Sequence, residues 1–451
     1  MRRRSIAVAD DTAPAPPHPL ASVRRSHGWS YQDLARVVAD NARALGVPMA
    51  ARREKVWRWE HWGVVPERDS QRALARALGV PLREVDARPW PGWLPTFDGI
   101  PDGLPWTRAG GLDALDALLD GGGRDPRSHP VLEGRRFLDA VSDWSAATDG
   151  ARGSGPSQGG PGAVAGREGP AADEETVAWL ERGVLGLRRL DDRLGGAAVR
   201  HRVEADLRIA LDLLRRGPCR DGLDARLLRA AAGLAQLGGW SATDCGRHGA
   251  AQRHFLTGLR LAHGAEDRPQ AANLWAGMSL QAVFAGRHDD ALAAARAAES
   301  VAAGATSRTR AMLATRRARA HAGLGEDSAC RRSLEEAGRL LDTAPGDDDP
   351  SWIYWFDEAE LCAQSGIALL DLGRAEEAAL LLEKALAIQD PVYRRDRTVY
   401  TARAALARAM TGDLGTARAL TGDAVELARD CGSPRVAIAV EQARTALSAA
   451  R

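Results

Sequence analysis

The chain has 451 residues, 45% hydrophobic and 27% charged, which is long enough for two or three domains and ordinary for folded ones. Its formal net charge of +1 excludes a polycation, yet residues 1–90 hold 16 Arg and Lys against 10 Asp and Glu, leaving 45 against 50 beyond. A basic front and a mildly acidic back suit one part that meets a polyanion and another that does not. Cys219, Cys245, Cys330, Cys362 and Cys431 form no CxxC pair, and Cys245 with His248 lacks a second ligand pair, so neither a disulfide framework nor a metal site is expected. No cofactor is implied.

Residues 1–17 are charged and then Pro-rich, and read as a disordered tail. The triple arginine at Arg2 and the internal Arg135-Arg136-Phe137-Leu138 both lack the apolar run of an export signal. With no run of about 18 apolar residues either, a cytoplasmic chain with no membrane partner is expected.

Helical patterning begins near Leu20, and Gly28 stops a first short helix near Ser26. Ser30, with Asp33 three residues on, caps a second helix whose apolar stripe is Leu34, Val37, Val38 and Leu45. Gly46-Val47-Pro48 breaks the chain. A third helix follows over about 50–61, with Val56 and Trp59 inward, and Gly63 and Pro66 end it. A fourth holds Leu74 and Leu78 before Gly79-Val80-Pro81. Arg52, Arg53, Lys55 and Arg58 crowd the third helix. That pattern serves phosphate and guanine contacts on a helix seated in a groove, or an ordinary solvated basic face.

The order of these elements resembles the Cro/repressor-type, or XRE, helix-turn-helix family. The resemblance rests on Ser30-Tyr31-Gln32-Asp33-Leu34-Ala35, Val56-Trp57-Arg58-Trp59-Glu60-His61 with Gly63, and SQRALARALGVP over 70–81. It implies that the third helix reads the major groove of double-stranded DNA. Arg53, Glu54, Lys55, Trp57 and Arg58, with Arg52 in the same basic cluster, then stand at the groove. Ser30 and Tyr31 stand at helix-two phosphate contacts, and Arg24 with Glu60 forms a structural ion pair. Leu34 and Val56 lie 22 residues apart, about a dozen more than the family pattern, so the second helix or the turn is extended.

Residues 89–148 read as a Pro/Trp-rich connector with short helices over 112–119 and 132–147, and the Gly/Pro/Ser-rich 149–172 as a flexible linker. Beyond it, helix follows helix. Gly246-Arg247-His248-Gly249-Ala250-Ala251 recurs in form from Gly286, Gly373 and Gly412, and more briefly from Gly325. A second small residue follows at Gly258, Ala298, Ala385 and Ala424. The turn glycines are spaced by 40, 39, 48 and 39 residues, longer than the usual unit of about 34. These segments resemble tetratricopeptide repeats, which implies an α-solenoid of helical hairpins over 173–451, begun by helices near 174–193 and 201–215 and closed by one over 434–449. Trp352, Tyr354 and Trp355, in the densest aromatic run, are core residues or ligand contacts. Arg394, Arg395 and Arg397 follow Pro391 in an expected loop, solvated or meeting an anionic partner.

No nucleotide loop, metalloprotease helix, nucleophile elbow or kinase motif occurs, so no enzyme and no catalytic residue is expected. The reading is an all-α chain: a helix-turn-helix domain over 18–88 joined to a helical-repeat domain. It implies a DNA-binding transcriptional regulator, a homodimer, with a peptide, small-molecule or protein partner on the repeats. The order of domains resembles that of peptide-sensing quorum regulators. The alternative is a scaffold whose repeats recruit proteins and whose helix-turn-helix does not read DNA.

Overall fold

A computed structural model describes residues 18–26, 29–78, 80, 82–87, 89–94, 104–120, 131–153, 172–217, 222–343, 348–429 and 431–449. The expected tail over 1–17 and most of the expected linker, 154–171, lie outside them. Every regular element among the described residues is a helix, and none is long and apolar enough to cross a membrane. The chain divides into two compact units, Met1–Thr96 and Phe97–Arg451.

The first unit packs α1 (Pro19–Ser26), α2 (Tyr31–Ala44), α3 (Arg53–His61), α4 (Arg68–Ala77) and α5 (Leu82–Ala87) around one small core. Helix α2 buries Leu34, Ala35, Val38, Ala39 and Ala42, a stripe at helical spacing that meets α4. Val37 and Leu45 are only half-buried, because small alanines fill the stripe instead. Both α2 and the turn are long: α2 runs fourteen residues, and the chain from Leu45 to Arg52 then bridges to α3. Trp93 and Leu94 close the core, and the Trp93 indole donates to Gln71 Oε1 at 2.8 Å. The start of the expected connector thus belongs to this unit.

The second unit opens with the rest of that connector. Helices α6 (Arg108–Asp120) and α7 (Arg135–Gly153) pack into its core through Leu112, Leu115, Phe137 and Trp144. Helix α7 reaches Gly153, into the stretch read as linker, since its Trp144 face is buried and extends the helix beyond the Gly-rich signal. Arg108 locks α6 down by donating to both Asp224 carboxylate oxygens at 2.7 Å.

Helices α8 (Glu174–Leu194), α9 (Gly196–Arg215), α10 (Leu223–Asp244), α11 (His248–Gly264), α12 (Arg268–Phe284), α13 (His288–Ser300), α14 (Ser307–Gly323), α15 (Asp327–Asp342), α16 (Glu358–Asp371), α17 (Ala375–Ile388), α18 (Arg394–Met410), α19 (Leu414–Ala428) and α20 (Pro434–Ala449) follow. Each packs on the next, and the even members from α8 to α20 pack also on one another in succession. Gly246, Gly286, Gly325, Gly373 and Gly412 all take the left-handed conformation, φ from 69° to 84°, that turns the chain between two helices. The same register buries Ala251, Ala291, Ala378 and Ala417 completely, and continues at Cys330 and Ala337 behind Gly325.

The array also closes on itself. Helix α18 touches α8, and Arg395 Nη1 lies 3.1 Å from Asp191 Oδ2 across 204 positions of sequence. Arg395 was expected in a loop after Pro391. It stands in α18 with its side chain 3% exposed, because a paired guanidinium is stable in the interior where a bare one is not.

Candidate nucleic-acid interface and interior cavity

In the first unit, Arg24 organises the surface around α3. Its Nε and Nη2 donate to Glu60 Oε1 and Oε2 at 2.7 and 3.0 Å, and its Nη1 to the Trp29 carbonyl at 3.1 Å. Glu60, at the end of α3, is 1% exposed in its side chain. The same guanidinium lies 4.0 Å over the half-buried Tyr31 ring. Ser30 closes a capping box with Asp33, Oγ accepting from Asp33 N at 3.2 Å and Ser30 N donating to Oδ2 at 3.0 Å. One residue therefore ties the end of α1, the start of α2 and the end of α3.

Helix α3 is two-faced. Val56, Trp59 and Glu60 turn inward, while Arg52, Arg53, Glu54, Trp57, Arg58 and His61 are exposed and Lys55 is half-buried. Arg53 pairs with Glu54 at 3.1 Å, and Lys55 with Glu67 at 3.6 Å. Such solvent-exposed pairs are worth about 0–1 kcal/mol, so they hold these side chains only weakly. Trp57 stacks on His61, with centroids 4.5 Å apart and planes at 11°, and Trp62 meets it edge-on at 5.2 Å. Arg58 lies 5.6 Å from the Trp62 ring, which is itself 65% exposed. Large aromatic surface left in water beside arginines is the unusual feature of this unit.

In the second unit a cavity of about 110 Å³ lies among the even helices. Of the three aromatic residues singled out in the sequence, Tyr354 and Trp355 line it. Trp352 does not: it is 8% exposed within the main core, where its large ring fills space between helices. The Tyr354 hydroxyl donates to Asp192, a carboxyl that burial above all pushes up to about 6. Arg188 donates to Gln236 Oε1 at 2.6 Å and weakly to the Gly233 carbonyl, and burial pulls its guanidinium down to about 10. Arg316 lies 5.6 Å from the Trp355 ring. At one edge Arg395, Arg435, Asp191, Asp244 and Asp396 form a buried network, with both guanidinium groups facing the Trp240 ring at 5.6 and 5.3 Å.

The cavity's polar residues do not stand out as a motif, because they are spread over several helices far apart in the sequence. One signal was present: charges occupy positions that helical periodicity assigns to a buried face. In α8 the stripe Val177, Leu180, Val184, Leu187 runs on to Arg188 and Asp191, and in α14 Met312 and Leu313 run on to Arg316.

No family model matches the chain, and no curated protein matches it significantly.

Proposed function

We propose that the chain is a DNA-binding transcriptional regulator of the XRE helix-turn-helix type, with a tetratricopeptide-like solenoid as its sensing or dimerising part. The observation that carries the reading is the outward face of α3, where Arg52, Arg53, Arg58 and Trp57 stand exposed on a helix whose other face is locked by Val56, Trp59 and the Arg24–Glu60 pair. In the major groove such a face gives guanidinium groups to guanine edges and phosphates, with the Trp57 indole against a thymine methyl or a sugar. Ser30 and Tyr31, at the start of α2, then lie at the flanking phosphates. A homodimer reads two half-sites about 10 base pairs, or a multiple of that, apart.

Salt dependence tests the reading. Duplex binding by a protein that neutralises several phosphates weakens steeply with salt, by about −0.9 in log–log slope per phosphate. Arg58→Ala is expected to lower affinity, and Arg52→Ala, if it holds a phosphate, to reduce the slope by about one. Absence of duplex binding at any salt removes the reading and favours the protein scaffold.

A further inference from the structure

Besides Arg395 Nε at its edge, the interior cavity holds four buried polar atoms with no hydrogen-bond partner in the protein: Arg316 Nη1, Asn273 Nδ2, Asp191 Oδ1 and Gln389 Oε1. All four residues are at least nine-tenths buried, at 5%, 5%, 2% and 8% exposure. Buried polar groups are almost always satisfied, and each exception calls for an explanation. Two of these atoms donate and two accept.

The arginines sharpen the picture. Arg395 and Arg435, at the cavity's edge, are each within 4 Å of buried carboxylates. Arg188 and Arg316 have no carboxylate that close: one is held by an amide and a carbonyl, the other faces an indole. A guanidinium buried without an anion is costly, and a planar oxyanion is the partner its fork fits best. Burial lowers the affinity of both groups for their protons and outweighs the opposing pull of Asp191 and Asp192 on Arg188 and of Glu360 on Arg316, none of which comes within ion-pair distance.

Size limits the occupant. At about 110 Å³, against the ~10–15 Å³ that one water needs on this measure, the space admits roughly ten non-hydrogen atoms. That is well below the ~300–1,000 Å³ of sites for drug-sized ligands, so the cavity as formed suits a molecule of amino-acid size and not a peptide chain.

We propose that this cavity binds a free amino acid or a close analogue, its carboxylate taken by Arg188 and Arg316 with Asn273, and its ammonium by Asp191 and Gln389. The Trp355 and Tyr393 rings and Leu237, Leu280 and Met312 receive the side chain. As a binding site this stands independently of DNA. As an effector site it rests on the chain being a regulator.

The experiment uses the purified full chain, with titration calorimetry and thermal melting. The probes are the proteinogenic L-amino acids one at a time, the corresponding 2-hydroxy acids, and inorganic phosphate. At least one amino acid is expected to bind saturably and raise the melting temperature, with its hydroxy-acid counterpart at least tenfold weaker. Arg316→Met is expected to lose at least tenfold in affinity while melting no lower than the wild type, since it removes an unpaired buried charge. Gln389→Leu gives a second, uncharged check. Binding of phosphate alone, equal binding of amino and hydroxy acids, or no binding by any probe overturns the proposal. So does binding unaffected by both substitutions. A saturating amino acid is then added to the DNA titration. A bound amino acid that leaves DNA affinity unchanged removes the effector role and keeps the site, whereas failure of DNA binding leaves the calorimetry untouched.

Discussion

Glu60 illustrates what a single residue settles in the first unit. Its carboxylate is buried, and the only guanidinium it meets in the described structure is that of Arg24, which also braces Tyr31 and the Trp29 carbonyl. Arg24→Ala leaves a buried charge without its partner, and a loss of about 3 kcal/mol in the unfolding of this unit is expected in urea titrations. Arg53→Ala, on the solvent side of α3, is expected to change stability by less than about 0.5 kcal/mol in the same titration. The contrast separates residues that shape α3 from those it presents.

His254 makes a second residue-scale test. Its half-buried ring packs against Gly238, and burial pulls its pKa down from 6.5 to about 4. The folded state therefore holds this imidazole neutral while the unfolded chain protonates it. Its contribution to stability is present above pH 6.5 and is lost as the pH falls to about 4, at roughly 1.4 kcal/mol per unit. His254→Leu is expected to flatten that part of the stability–pH curve; an unchanged curve contradicts the assignment.

Among the elements, the seam between α10 and α11 depends on absent side chains. A Cβ at Gly238 would lie 2.6 Å from His254 Nδ1, and one at Gly239 would lie 2.6 Å from the Phe255 ring. Either alanine forces the two helices apart, so Gly239→Ala is expected to lower stability by about 1–3 kcal/mol despite its better helix propensity. Gly246→Ala acts differently: there is open space around it, but φ is 69°, so strain alone opposes the substitution. The turn glycines were legible in the sequence because each combines a backbone requirement with a fixed offset to a small buried residue. The same holds for the Ser30 capping box and for Trp59. The connector was less legible. Its prolines and tryptophans mark irregular backbone, but only tertiary packing divides Trp93 from Trp106 between two units.

For the molecule as a whole, the closure of the helical array of the second unit is the feature that periodicity does not reveal. An open stack of hairpins contacts only its neighbours and unfolds by nearest-neighbour steps. Here Arg395 ties α18 to Asp191 of α8, while Ser433 and Arg435 reach Asp244 at the end of α10. Arg395→Ala leaves Asp191 and Asp244 facing one another with less compensation. About 3–5 kcal/mol of stability is expected to be lost, and a single calorimetric transition to split into two. The sequence held no sign of this, because partners some two hundred residues apart share no local pattern. The cavity is a product of the same closure, which is why its lining comes from seven helices and not from one aromatic run.

The most direct measurement is selection of DNA fragments, from the genome that encodes the chain, by the purified protein at moderate salt, in parallel with the Arg53→Ala/Arg58→Ala variant. A small set of fragments enriched by the wild type, and lost by a variant whose melting curve is unchanged, is the expected result. Uniform weak binding, or enrichment that survives the double substitution, would contradict the assignment of α3 as the reading head.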